Sequence, residues 1–466
     1  MKLSTLALAT AAGLAAASAQ AQVNLYLVNI QNLSSLSDGA GIEVGTLPTG
    51  VALIQETKTF TYTEGDKDQR IESLFVGGLA NVGFGTVQIV KVEDVLNNAQ
   101  QGRSFRSIPT SATQISAAQR GVTGMDYQPG VGLVATFDQG TFGWELGGQA
   151  IIWDVNTQLN PILRKASPAN QDLNGKAGPA WDAGPDGAGW TFTGGTGPAP
   201  IPAFLDFSSD VRGPFGLNPT TLDGAAGAEV YGPGSTVVGP IINGNDPFGF
   251  AVGGTIWRDL DISPDGNLIV ARADNDLVIA NRSGGPGATV TKVIRSSTTN
   301  NDAPFVIGQN VEILHGVPSG DLIVYNNRPS SSSLSLGFGS LNFVDTSGNP
   351  VTVNFLNPDG SPATQADGAT PLPTSGTGFY SFFWDRGLLV VLDGSVATGD
   401  NPGRTAYIFQ TCLGDLNHDG ATDFGDFLEF FNAFDVGDAG YGDVNRDGAS
   451  DFGDFLAFFN AFDASC

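Results

Sequence analysis

Between residues 23 and 411, apolar positions fall in short clusters separated by Gly, Asn, Asp or Pro. Such clusters occupy 74–76, 87–90, 133–136, 150–153, 268–271, 277–280, 322–325, 388–392 and 406–409. Runs of this length bounded by turn formers predict β-strands rather than helices. The last 45 residues have a different pattern. The stretch from Asp426 to Phe434 and its twin from Asp454 place Phe427, Phe431 and Phe434 at i, i+4 and i+7, which predicts two short helices.

The strands come in a loose repeat. Residues 125–133 (MDYQPGVGL) match 260–268 (LDISPDGNL) in length and pattern. Looser copies run from Val311 through Asp321 to Leu322, and from Phe382 through Gly387 to Leu388. Each reads as strand, tight turn, strand, with a further strand at 150–153 and 277–280 in the best copies. A multistranded antiparallel unit recurring along the chain resembles the β-propeller architecture, without matching a specific propeller family. The expected fold is therefore mainly β: a six- or seven-bladed propeller over residues 22–411, with a Gly/Pro/Ala-rich insertion at 168–202. A paired β-sandwich or a β-helix is the competing arrangement.

The helices belong to a second repeat. Residues 414–435 read GDLNHDGATDFGDFLEFFNAFD and residues 442–463 read GDVNRDGASDFGDFLAFFNAFD. Each opens on D-x-N-x-D-G-x-x-D-x-x-D, the spacing at which a 12-residue loop supplies oxygens to a hard cation. Loop one offers Asp415, Asn417, Asp419, the Ala421 carbonyl, Asp423 and Asp426. Loop two offers Asp443, Asn445, Asp447, the Ala449 carbonyl, Asp451 and Asp454. Gly420 and Gly448 stand where the loop must turn with positive φ. Two calcium ions are expected, although position 12 is Asp rather than the longer Glu. A strand-like end precedes loop one and a turn precedes loop two, so each unit is a loop with one exit helix. This argues against a helix–loop–helix sensor.

Tandem loop–helix units at the C-terminus resemble the dockerin family. The GD-x-N-x-DG opening and the terminal cysteine are similar to those of GC-type dockerins, which anchor exported bacterial proteins. The resemblance covers residues 412–466. It implies calcium-dependent binding to a cohesin-type or other cell-surface receptor through the exit helices and loop positions 10 and 11. Those positions are Phe424-Gly425 and Phe452-Gly453, where dockerins of cellulose-degrading complexes carry small polar residues. The expected partner-binding residues are Phe424, Phe427, Phe431, Phe452, Phe455 and Phe459. The competing expectation is that these rings only fill a small core. Near-identical halves would allow docking in two orientations.

Several features narrow the setting. A basic start, an apolar run from Leu6 to Ala17 and an Ala-x-Ala exit read as a secretory signal over residues 1–21. No later apolar stretch is long enough to span a membrane. Net charge is −26, which disfavours nucleic acid. The two cysteines, Cys412 and Cys466, bracket the repeats and are a disulfide candidate in an exported protein.

Catalytic signatures are sparse. There is no G-x-S-x-G elbow, P-loop or dinucleotide fingerprint, and two His with two Cys are too few for most zinc sites. His315 beside a strand reads as structural, and His418 lies inside loop one. Glycoside hydrolysis needs only two carboxylates, and Glu145, Asp154, Asp206, Asp259, Asp261, Glu312 and Asp385 are available. Trp144, Trp153, Trp190, Trp257 and Trp384 suit sugar stacking or blade cores. The expected function is a secreted, non-catalytic binding or scaffold domain attached by its calcium module. The alternative is a polysaccharide hydrolase or lyase attached the same way.

Overall fold

The computed structural model describes residues 22–33, 47–62, 65–79, 89–96, 105–107, 119–129, 132–139, 149–154, 162–166, 177–182, 189–193, 204–206, 257–273, 276–282, 288–294, 310–326, 341–372, 379–393, 405–437, 441–447 and 449–464. The expected signal, Gly448 and Cys466 lie outside these residues.

The protein is mainly β with two C-terminal helices. After β1 (Val23–Asn32), a meander is formed by β2 (Leu47–Tyr62), β3 (Gly65–Leu79), β4 (Ile89–Val92) and β5 (Phe105–Ser107). A second contains β6 (Gln119–Gln128), β7 (Gly132–Gln139), β8 (Gln149–Asp154) and β9 (Ile162–Ala166). A third has β10 (Ala177–Asp182), β11 (Gly189–Thr193) and β12 (Phe204–Asp206). A fourth has β13 (Trp257–Ile262), β14 (Leu268–Ala273), β15 (Asp276–Arg282) and β16 (Ala288–Ile294). The fifth has β17 (Val311–Leu314), β18 (Leu322–Asn326) and β19 (Leu341–Asp345), followed by β20 (Val353–Leu356). The sixth has β21 (Phe379–Asp385), β22 (Leu388–Asp393) and β23 (Thr405–Gln410). The apolar cluster expected at 87–90 is realised as β4, which starts two residues later, at Ile89.

The first strands of these six groups pack in a closed circuit. β2 touches β6, β6 touches β10, β10 touches β13, β13 touches β17, β17 touches β21 and β21 returns to β2. The sixth group is completed from the other end of the chain, because β1 lies antiparallel along β23 and β20 runs parallel to β1.

Separate apolar clusters fill the spaces between neighbouring groups. Ala180, Leu260 and Ile269 join the third group to the fourth. Val270, Ile279, Val311 and Ile313 join the fourth to the fifth. Val324, Phe355, Leu389 and Phe409 join the fifth to the sixth and to β1. Burying one apolar face of each sheet against the next is what an antiparallel sheet needs for stability. Between the first and second groups the fit depends on glycine. A Cβ at Gly77 would come within 2.5 Å of the Val122 side chain, and one at Gly50 within 2.6 Å.

The helices are α1 (Phe424–Asp435) and α2 (Phe452–Ala464). Each begins two residues earlier than its sequence pattern suggested. Asp423 caps α1: its side chain accepts from Gly425 N, and Asp426 returns the bond to the cap backbone. The rings of Phe430 and Phe458 stack 4.4 Å apart at the centre of the module. None of the described helices is long and apolar enough to cross a membrane.

Leu25, in the middle of β1, is fully buried. Leu25→Ala should destabilise the chain by about 2–5 kcal/mol, in a single denaturant transition shared by near-UV and far-UV signals. Loss of only the β1 signal would show that β1 is not integral to the circuit.

Candidate metal loops, docking face and axial carboxylates

Loop one is organised by its own acids. Asp415 accepts from the backbone N–H groups of Asp419 (3.1 Å) and Gly420 (3.0 Å). Asp426 spans the loop, its Oδ1 accepting from Leu416 and Asn417 and its Oδ2 from Asp423. Asn417 and Asp419 cap the next turns, donating or accepting within two residues. Loop two repeats these bonds through Asp443, Asn445, Asp447, Asp451 and Asp454. Gly420 has the expected positive φ, +89°. The fourth positions, His418 and Arg446, are also left-handed, at φ 56° and 62°, where non-glycine residues are uncommon.

In loop two the carboxylate oxygens of Asp443, Asp447 and Asp454 converge to within 4.8 Å of one another. Such an all-oxygen set fits a hard divalent cation in its donor chemistry. The short Asp at position 12 reaches the cluster because the helix N-terminus draws it in, and Asp454 is fully buried. Glycine at position 11 leaves room for the side chain of the position-3 asparagine. A Cβ on Gly425 would lie 2.8 Å from Asn417 Nδ2, and one on Gly453 3.0 Å from Asn445 Nδ2. Cys412 is disulfide-bonded; the chain's one other cysteine is Cys466.

The six phenylalanines expected to bind a partner divide into two kinds. Phe424 and Phe452 are each 67% exposed, Phe431 48% and Phe459 39%, whereas Phe427 and Phe455 are half-buried. Leu428 and Leu456, missed in the sequence, are as exposed as Phe431. These six exposed residues are all the exposed large apolar side chains among the described residues. The core of the module is Phe430, Ala433 and Phe458, and Phe431, expected on the partner-binding face, lies outside it.

The front region has a second acidic feature, on the innermost strands. Asp126 Oδ2 accepts from Trp181 N on β10 (3.1 Å). Asp261 Oδ2 accepts from Ile313 N on β17 (2.6 Å), and Glu312 Oε1 from Trp384 N on β21 (2.8 Å). In three joints of the circuit an acid on one inner strand thus latches the backbone of the next. Asp259 reinforces the β13–β17 joint through Asn310 and Val311. Burial pushes Asp259 up to about 8 and Asp261 up to about 7. Burial and then the neighbouring Asp261 carboxylate raise both Asp126 and Glu312 well above the ordinary range. Burial raises Asp385 to about 6, against the opposing pull of Arg386.

Of the carboxylates singled out in the sequence, the fold therefore brings together Asp259, Asp261, Glu312 and Asp385. Glu145 and the side chains of Asp154 and Asp206 lie outside the described residues, as do those of Trp144, Trp153, Trp190 and Trp257. Asp126 was overlooked, yet it aligns with Asp261 and Glu312 in the copies of the strand–turn–strand repeat. Trp384 is core, donating its indole N–H to the His315 carbonyl (3.1 Å), and His315 packs edge-on against it. Both have a structural role.

No protein-family model matches the chain, and no curated protein sequence matches it. Among solved structures, the major allergen Mala s 1 of Malassezia sympodialis is 12% identical, covering 84% of this chain and 96% of its own, with a TM-score of 0.41. A putative 6-phosphogluconolactonase from Bacteroides uniformis is 11% identical, covering 74% of this chain and 79% of its own, with a TM-score of 0.36. The Dos1 propeller is 10% identical, covering 76% of this chain and 67% of its own, with a TM-score of 0.33. Likeness at this level carries no information on activity.

The raised acids predict an unusual pH dependence. The native state holds protons on Asp259 and Asp261 that the unfolded chain, with carboxylates near 3.8, has released. The stability they contribute is full below that value and is lost as pH rises through about 7 to 8. With calcium saturating, thermal stability should fall from pH 5 to pH 8. Glu312→Gln keeps an acceptor for Trp384 N and removes a charge, so it should flatten that slope and raise stability at pH 8. A stability that climbs from pH 5 to pH 8 would contradict this account.

Proposed function

We propose that the front region is a six-bladed β-propeller closed by β1, and that residues 412–466 are a dockerin-like module that loads two calcium ions and attaches the chain to a cohesin-type or other cell-surface receptor. The observation that carries this reading is the placement of exposed apolar surface. Phe424, Leu428 and Phe431 on α1 are matched by Phe452, Leu456 and Phe459 on α2, which are all the exposed large apolar side chains among the described residues, and the rings of both helices run together through Phe427 and Phe455. A contiguous apolar patch of this kind marks an interaction surface. Its aromatic content suits the anchors that dominate binding energy.

The loops supply the calcium dependence. Their acids sit at the spacing a hard cation needs, and one trio already converges. The disulfide at Cys412 supports an oxidising, extracellular setting. In the front region, the axial carboxylates are engaged in holding neighbouring strands together. That favours a binding or scaffold role for the propeller over polysaccharide hydrolysis.

Capture of a receptor from envelope and secreted fractions tests the proposal, with the full chain as bait. Chelation, or Asp426→Ala with Asp454→Ala, should abolish capture. Phe424→Ser with Phe452→Ser should weaken it about tenfold or more while calcium binding persists. Either serine substitution alone should leave capture through the other repeat. Capture that survives chelation would overturn the calcium-dependent docking.

A further inference from the structure

The two repeats differ at four aligned positions within 414–435 and 442–463: Leu416 with Val444, His418 with Arg446, Thr422 with Ser450, and Glu429 with Ala457. The structure sorts these positions by face. Phe424, Leu428, Phe431 and Asn432, with their twins Phe452, Leu456, Phe459 and Asn460, are exposed and identical. None of the differing pairs belongs to that face. Leu416 and Val444 are buried in an apolar cluster that also holds Val51, Leu74 and Val90 of the front region. That cluster runs without a break from the first β group into Phe430, Tyr441 and Phe458 of the module.

The fourth-position pair makes the polar contacts of this junction, and each member meets a different partner. His418, 2% exposed, brings its Nδ1 to 3.6 Å from Oε1 of Glu72 on β3. Glu72 is fully buried and already receives Arg386 Nη2 (2.9 Å) and Gln55 Nε2 (3.2 Å). Arg446 donates from Nη1 to the Leu96 carbonyl, just beyond β4, at 2.6 Å. Between them, Arg70 donates to the Asn417 carbonyl (3.4 Å). Exchanging the repeats about the module's pseudo-twofold would bring the longer Arg446 side chain to Glu72, whose carboxylate already takes Arg386 and Gln55, and set two guanidiniums side by side there. The shorter imidazole would stand at the Leu96 carbonyl in place of the Arg446 donor.

We propose that the repeats have diverged to form an intramolecular seat. His418 against Glu72 and Arg446 against Leu96 fix the module on the propeller in one of its two pseudo-symmetric orientations, with the symmetric aromatic face turned outward. The left-handed backbone at both fourth positions links the seat to the loops. That conformation is unfavourable for a non-glycine residue and is held by the same Asp415 and Asp443 bonds that gather the loop acids. Cation loading of the loops, which rests on the reading above, therefore keeps the module seated. The receptor would receive the propeller at a set angle rather than on a swinging tether.

Hydrogen–deuterium exchange on the full chain tests this, with calcium affinity measured in parallel. His418→Ala with Arg446→Ala should raise exchange at least several-fold in residues 71–76 and 95–96 and, by reciprocity, weaken calcium binding, with receptor capture retained at saturating calcium. The milder pair His418→Gln with Arg446→Lys covers the case of misfolding and should give a smaller rise at the same amides. The exchanged pair His418→Arg with Arg446→His should loosen the junction as much as the alanines do. Unchanged exchange in all three would overturn the seat. Chelation of the wild type should reproduce the rise. Calcium that binds yet leaves these amides unaffected would overturn the coupling. A chain that binds no calcium but loses protection in the seat variants would sink the calcium reading alone and leave the seat standing.

Discussion

The pairing of β1 with β23 is the interaction on which the other parts rest. It ties the first described strand into the last sheet of the front region, the sheet whose innermost strand, β21, closes the circuit against β2. β23 is hydrogen-bonded on both sides and buried throughout. The chain then passes directly into the module. The Gln410 side chain, at the end of β23, donates to the carbonyls of both Cys412 (2.6 Å) and Asp415 (2.7 Å). Loop one therefore begins on one of the best-held strands, and its position follows from the closure of the circuit.

The chain puts carboxylates to two opposite uses. On the inner strands, burial and neighbouring acids raise the carboxyls' hold on the proton, and each latches the next strand by a hydrogen bond to backbone. In each loop, four acids crowd into twelve residues, an arrangement in which mutual repulsion would fall on binding a cation. The first kind stabilises the fold as pH falls. The second has the donor chemistry that suits a hard cation.

What was legible in the sequence follows from how local each signal is. The loop acids could be picked out individually as candidate ligands, because coordination demands residue type at fixed spacing, and three of them converge in loop two. The strands could be read as apolar runs between turn formers. Which helix rings are buried stayed open in the sequence: the run FLEFFNAF has too few polar residues to mark its outer side, and stacking of Phe430 on Phe458 decides the rotation. The Asp126, Asp261 and Glu312 latches had a faint signal in their alignment across the repeat, but their partners lie on the following sheet, at least 50 residues away. The seat was not legible at all. Arg446 meets Leu96 across 350 residues, and nothing near either residue announces the contact.

Calcium titration of the full chain by isothermal calorimetry tests the central claim most directly. The account predicts binding to two sites per chain, one of which is lost in Asp426→Ala and the other in Asp454→Ala. Heat that shows no saturable calcium binding, or binding that survives both substitutions together, would contradict it.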